Sequence, residues 1–430
     1  MRALAAAAQC RRSLPDNPSA ALTPFESAPK SLIRIGGGLP AMMDTTLLQN
    51  VTVARMDGSV LPRQDLVLWH TAAGRRRRRT RVDLAGHVLL PGLINAHDHL
   101  HVNAVPGLPE ASTFVNSDDW ARAFAPHFTL PAVAAALDVP REVRHWHGGL
   151  KNLLSGVTTA MHHDPWYPVL AQADFPVRVI ARYGWAHSLY GHSGPAVQPS
   201  CHATPQDTGW FIHLAEGIDT LAAQELMRLQ QWGCLRPNTV LIHGVGLRDS
   251  DIEQIVQKRA ALVWCPASNL RILGQTLTPR RLRQLFDAGC LTMGTDSRLS
   301  GARDLLDELR TARAHSDFTA RELLQLVTVH AARVLRVPHA AQDGLIIRER
   351  NDPFEDLLQT SRHQLRAVIR NGRPLLTDPD FESWFDHCGV PCTRIELDGQ
   401  PKLCASAVLK PLQANPTIEP GMIVPEFAPA

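Results

Sequence analysis

Two histidines spaced i, i+2 close the run Pro91-Gly92-Leu93-Ile94-Asn95-Ala96-His97-Asp98-His99. On a β-strand successive side chains alternate between faces, so His97 and His99 point one way and Asp98 the other. Two imidazoles on one face at a strand end supply half of a metal site. In a chain with 20 histidines, one such pair carries little weight by itself. Three more strand-like runs end in the same kind of residue: Trp210-Phe211-Ile212-His213-Leu214-Ala215-Glu216-Gly217, Leu241-Ile242-His243-Gly244 and Thr292-Met293-Gly294-Thr295-Asp296-Ser297. Taken singly, His213 reads as a hydrogen-bonded core histidine, Asp296 as a helix N-cap and Glu216-Gly217 as a turn. Their spacing argues otherwise: His213 to His243 is one strand–helix unit and His243 to Asp296 is two. That periodicity places each polar group at the carboxyl end of a barrel strand, where barrel enzymes keep their chemistry.

The elements that would position these groups follow from the texture of the chain. From Pro91 onward, apolar strand-like runs (93–99, 158–162, 177–181, 210–214, 240–243, 261–265 and 291–295) alternate with amphipathic stretches such as 221–232 and 249–257. Alternation of this kind implies a parallel sheet, and the number of runs implies a closed barrel. The eighth strand is expected between residues 183 and 206. Thr319 and Glu322 form a capping box ahead of one helix over 321–335. Shorter β-prone runs (47–53, 65–70, 82–84 and 88–90, then 344–347, 364–369 and 393–397) flank this region and are expected to pair into one composite β-domain. The resulting organisation is a flexible leader (1–45), a first β-part (46–90), the barrel (91–340), a second β-part (341–409) and an extended C-terminal arm (410–430). The block from Arg75 to Arg79 reads as a solvated loop between strands.

The 430 residues, 44% hydrophobic and 20% charged, describe a globular chain with an ample core. A formal charge of +3 gives no argument for nucleic-acid or membrane partners, and no apolar run is long enough to span a bilayer. The start of the chain is a poor signal peptide. Eight scattered cysteines read as reduced thiols, Cys388 and Cys392 included, which favours the cytoplasm.

The chain resembles the metal-dependent amidohydrolase superfamily, specifically its cytosine-deaminase-like and triazine-hydrolase-like branch. The resemblance spans residues 47–376. Besides the opening histidine run, it rests on Gly156-Val157-Thr158-Thr159, His213-Leu214-Ala215-Glu216, Cys265-Pro266-Ala267-Ser268-Asn269, Gly294-Thr295-Asp296-Ser297 and Arg370-Asn371-Gly372-Arg373-Pro374. It implies an α/β fold, a distorted TIM (β/α)8 barrel with a flanking composite β-sandwich. It further implies His97, His99, His213 and Asp296 as metal ligands, His243 as the residue orienting the attacked group, and Glu216 as proton shuttle. Two-metal members carry a bridging modified lysine at the end of a middle strand. Here the corresponding run, Thr158-Thr159-Ala160-Met161-His162-His163, has none, and Lys151 lies upstream, which favours one metal.

Three imidazoles and a carboxylate suit zinc, with iron(II) as the competing ion. Such an ion lowers the pKa of bound water toward about 7 and supplies hydroxide at neutral pH. Glu216 then serves as general acid–base, His243 holds the developing tetrahedral centre, and Asp296 accepts a proton as well as ligating. The expected reaction is hydrolysis of a non-peptide C–N bond: deamination of a small nitrogen-containing ring or amidine-like compound. Triazine dechlorination or dealkylamination, cyclic amide hydrolysis and a non-catalytic scaffold are the alternatives. Candidate substrate contacts are Trp120, His162, His163, Trp166, Trp185, His187, Asn269 and Arg271. The partner is a small molecule, and association into a homo-oligomer stays open.

Overall fold

A computed structural model describes residues 43–71, 79–107, 113–190, 194–413 and 419–425. Nearly all of the expected leader, Arg75 to Arg78 of the arginine block, and residues 414–418 and 426–430 of the expected arm lie outside the described residues.

Eight parallel strands follow one another along the middle of the chain. β1 (Leu93–Asp98), β2 (Val157–His162) and β3 (Arg178–Val179) pair in parallel as a three-stranded arc. β4 (Gly184–Trp185), β5 (Trp210–Leu214), β6 (Thr239–His243), β7 (Ala261–Trp264) and β8 (Leu291–Met293) pair in parallel as a five-stranded arc. Helices such as Asp249–Lys258 and Pro279–Asp287 return the chain between strands. β1, β2, β5, β6 and β8 are buried along their whole length, as helix-covered parallel strands are.

The two arcs meet at β1 and the end of β8. There the amides of Thr295 and Asp296 both donate to the His97 carbonyl, each at 3.1 Å. Those bonds turn the chain after Gly294 toward β1, and β8 is shorter than the expected 291–295. A side chain on Gly294 would strike the His97 backbone nitrogen at 2.5 Å, so only glycine permits the approach. At the other junction, β3 and β4 form no ladder pair among the described residues, and each is two residues long. β4 falls within the 183–206 window, while β3 is shorter than the expected 177–181.

The single helix expected over 321–335 is two helices, Ala320–Leu326 and Val329–Leu335. The break has a cause: the Val327 carbonyl accepts from Ile94 of β1 at 2.8 Å, so it is diverted from the helix to that strand. The Thr319–Glu322 capping box is present at the first helix.

Strands from both ends of the chain share one ten-stranded sheet. His87–Pro91 pairs antiparallel with Gly344–Arg348, from Gly344 opposite Pro91 to Arg348 opposite His87. The first strand already begins at Met43 (Met43–Ala54), inside the expected leader. The run expected from 364 starts only at Ala367, because Arg362–Gln364 form a 3-10 turn capped by Ser361 and Gln364.

The C-terminal stretch is also not an extended surface arm. Met422–Ile423 pairs with Cys392–Leu397, and Glu419 is fully buried. Its carboxylate accepts from Arg298 Nη2 at 2.7 Å and Nη1 at 3.0 Å and from Arg362 at 2.5 Å, and lies 2.8 Å from His147 Nε2.

One buried carboxyl makes a pH prediction. Glu308, in helix Leu305–Ala314, accepts from the Ala267 amide at 2.8 Å, and burial pushes its pKa up to about 8. The unfolded carboxyl ionises near pH ~4.3, so the unfolded chain releases this proton first and stability falls as pH rises between the two values. Glu308→Gln keeps the acceptor and removes the titration. Urea unfolding of this variant should show a flatter decline of stability from about pH 5 to 8 than the parent chain; an unchanged slope would refute the assignment.

Candidate active site

The strand ends bring the expected groups to one point. His97 Nε2 and His99 Nε2 lie 3.3 and 3.2 Å from His213 Nε2. Asp296 Oδ1 is 3.7 Å from His97 Nε2 and 3.6 Å from His99 Nε2. Nitrogens bound tetrahedrally to one zinc ion at 2.0–2.1 Å sit about 3.3–3.4 Å apart, so His213 already stands at the spacing of a shared cation from both His97 and His99. Among the described residues one nitrogen of His163 also falls within 4.8 Å of the ligand nitrogens of His97, His99 and His213. Burial lowers His97 to about 4 and pushes His213 well below its usual value, keeping both lone pairs free. Burial alone would raise Asp296, but His97, His99 and His243 hold its carboxyl well below the usual range.

Partners behind the candidate ligands fix their orientation, as partners do in protein metal sites. His99 Nδ1 is 2.8 Å from Asp164 Oδ2, and His213 Nδ1 donates to the His187 carbonyl at 2.9 Å. Burial opposes charge on His99, but the Asp164 carboxylate outweighs it and raises the ring to about 9. Asp296 accepts from Ser268 Oγ at 2.8 Å, Ser300 Oγ at 2.5 Å and the Ser297 amide at 2.7 Å. Asp98 faces away, as the strand alternation requires, and accepts from Asn152 at 2.8 Å, Asn103 at 2.9 Å and Lys151 at 3.2 Å. Lys151 is thereby committed to a buried ion pair behind the site.

Glu216 and His243 face each other beside the cluster, with Oε1 and Nε2 3.4 Å apart. Asn269 Oδ1, 2.9 Å from His243 Nδ1, accepts the proton there and leaves the Nε2 lone pair toward Glu216. Burial raises the Glu216 pKa above the ordinary glutamate value. Ala215, His243 and Asp296 have φ of 54°, 73° and 54°, left-handed backbone that aims three of these strand ends into the site.

The remaining candidates divide. His187 and Asn269 support ligands and His243 as described. Trp185 stands edge-on to His163 at 5.8 Å. His163 Nε2 donates to the Ala186 carbonyl at 3.0 Å. His162 turns the other way, toward His101 and His145. Trp166 packs against the main apolar core, Trp120 stacks on Phe124 beside Val245 and Ile272, and Arg271 lies against Gly107. A cavity of about 30 Å³ opens beside Glu216, lined by His213, Ser117, Asp118, Ser188, Tyr190 and Glu225 among others. A larger one, about 470 Å³, sits where β3 and β4 part, away from all four ligands. The sequence reading missed Asp164, Ser268 and Ser300. Asp164 directly follows His163, and Ser268 lies in the Cys265–Asn269 run, but a supporting partner has no spacing rule of its own.

The family described as "Amidohydrolase family" matches residues 198–341, the span that contributes His213, Glu216, His243 and Asp296. The chain carries an amidohydrolase-family domain. The chain is 25% identical over 376 residues to the 5-methylthioadenosine/S-adenosylhomocysteine deaminase of Pyrococcus furiosus, covering 70% of this chain and 86% of that protein. The zinc complex of the Arthrobacter aurescens atrazine chlorohydrolase superposes with a TM-score of 0.60 at 19% identity, over 80% of this chain and 99% of the other. The zinc-bound adenosine deaminase of Xanthomonas campestris gives 0.60 at 16% identity, over 80% and 96%. These likenesses, over 80% of the chain, are likenesses of fold. The histidine cluster is itself a group that could hold a divalent metal ion. No helix among the described residues is long and apolar enough to cross a membrane.

Proposed function

We propose that the amidohydrolase domain is a mononuclear zinc hydrolase that deaminates an amino-substituted nitrogen ring of the adenosine kind, the substrate class named for its Pyrococcus relative. The observation that carries this reading is the convergence of His97 and His99 on His213, at 3.3 and 3.2 Å, with the Glu216–His243 pair alongside. His97, His99, His213 and Asp296 would hold the ion, which when bound makes water acidic enough to attack at neutral pH. Asp296, kept ionised by its histidine neighbours, is placed to take a proton at Oδ1. Glu216, with its raised pKa, carries a proton to the ring nitrogen and on to the departing amine. His243, oriented by Asn269, donates a hydrogen bond to the substituent at the attacked carbon once it receives a proton. The reading includes closure of the eight parallel strands into a (β/α)8 barrel, packing of the composite sheet as a β-sandwich domain, and a cytoplasmic location.

Metal-loaded protein should release ammonia from at least one of adenosine, 5′-deoxyadenosine and 5′-methylthioadenosine, measured by a coupled ammonia assay. Chloride or alkylamine release from a chlorotriazine, with no ammonia from any aminopurine nucleoside or cytosine, would replace deamination by triazine hydrolysis. Elemental analysis of the active protein separates zinc from iron(II).

A further inference from the structure

Three more histidines meet outside the catalytic cluster. His101 lies in the 3-10 turn Leu100–Val102 that leaves β1, His145 in helix Arg141–Leu154, and His162 at the end of β2. All three are buried, and one ring nitrogen of each lies within 4.8 Å of those of the other two. Their ring centroids are 5.0 to 5.7 Å apart.

We propose that His101, His145 and His162 form a second metal site, distinct from the His97–Asp296 centre, for one zinc-like divalent transition cation. Each ring has a buried nitrogen with no hydrogen-bond partner: His101 Nδ1, His145 Nε2 and His162 Nε2. Leaving a buried polar atom unpaired is costly, so three rings that each carry one and meet within 4.8 Å call for an occupant that satisfies them together. His145 Nδ1 donates to the Arg141 carbonyl at 2.8 Å, so its lone pair is on the unpartnered Nε2. The Leu100 amide donates to His162 Nδ1 across 3.3 Å, so coordination through Nε2 requires His162 to give up that long bond and carry its proton on Nδ1. Three neutral imidazoles are a donor set that zinc and its neighbours accept, and a cation there needs a nearby negative charge. Asp164 supplies it: its Oδ2 lies 2.8 Å from His99 Nδ1 and 3.5 Å from His101 Nδ1, so one carboxylate stands between both clusters. The second ion would tie β1, helix Arg141–Leu154 and β2 together behind the catalytic centre. The proposal rests on none of the catalytic assignments, and its readout is metal content rather than turnover.

The test is zinc stoichiometry after saturation and desalting, with anomalous diffraction above the zinc edge. Wild-type protein should retain two equivalents per chain, with one anomalous peak among His101, His145 and His162. His145→Gln should retain one equivalent, at His97, His99 and His213. His97→Ala should also retain one, at the second site, even if the reading of the first site as catalytic is wrong. A single retained equivalent in the wild type with no peak among the three rings would overturn the proposal. So would two equivalents in folded His145→Gln. Should that variant not fold, the wild-type count and map decide alone.

Discussion

Glu216→Gln protein is expected to bind its metal as the parent does and to turn over about 10²–10⁴-fold more slowly, the usual worth of a positioned general acid–base group. The substitution keeps the side chain's size and its contact with His243, 3.4 Å away. It removes only the proton that burial makes Glu216 inclined to hold. No ligand atom changes, so metal content measured by elemental analysis should stay at the parental level. His213→Ala should behave oppositely. It deletes the nitrogen that both His97 and His99 approach at 3.2–3.3 Å, and the ion should be lost along with activity. Parental turnover in the Glu216→Gln protein would remove Glu216 from the reaction and leave the His243 side of the site without a proton carrier.

The second large effect is on stability. Glu419→Ala should destabilise the chain by about 3–5 kcal/mol, the cost of stripping one partner from a buried ion group. Glu419 and Arg362 are both fully buried, and the Arg298 side chain is 16% exposed. Removing the carboxylate leaves two guanidinium groups facing each other with their shared counter-charge gone. Arg362 keeps Asp398, which accepts from its Nε and Nη2 at 2.9 Å each, so pairing the change with Arg298→Met, whose ion pair is with Glu419, should recover part of the loss. The pH sign follows from linkage. His147 and the arginines hold the Glu419 carboxyl below its ordinary value although burial opposes them. The contribution is therefore complete above the unfolded pKa of ~4.3 and lost as pH falls through the lower folded value. Urea unfolding at neutral pH checks the magnitude; a loss below about 1 kcal/mol would mean the network is stabilised by something other than its charges.

The site was far more legible in the sequence than the details of the fold around it. A histidine pair with period 2 and polar residues at strand ends report directly on direction and level. His97, His99, His213, His243 and Asp296 accordingly converge where the periodicity places them. Strand lengths obey no such rule. β3 and β4 are two-residue strands, and Gly184 admits Thr204 so closely that a side chain there would overlap it. The break between the helices Ala320–Leu326 and Val329–Leu335 depends on Val327 bonding to Ile94, a partner no local pattern reveals. Glu419 likewise meets Arg298 from 121 positions away, so a proline-rich tail reads as loose chain until its counter-charges are seen. His162 and His163 show the limit at the site itself: adjacent residues on a strand face opposite ways, and the sequence alone does not say which cluster each will join.

The left-handed backbone at Ala215, His243 and Asp296 bears on when the protein can become competent at all. Each such joint costs about 1–3 kcal/mol and persists only where its surroundings enforce it. Those surroundings include contacts between the ends of the first and last of the eight parallel strands, such as Asp296 with His97, which close loops of great length and so form late. A half-made chain therefore has no reason to aim its imidazoles together, and capturing the ion becomes a signature of finished folding rather than a step toward it.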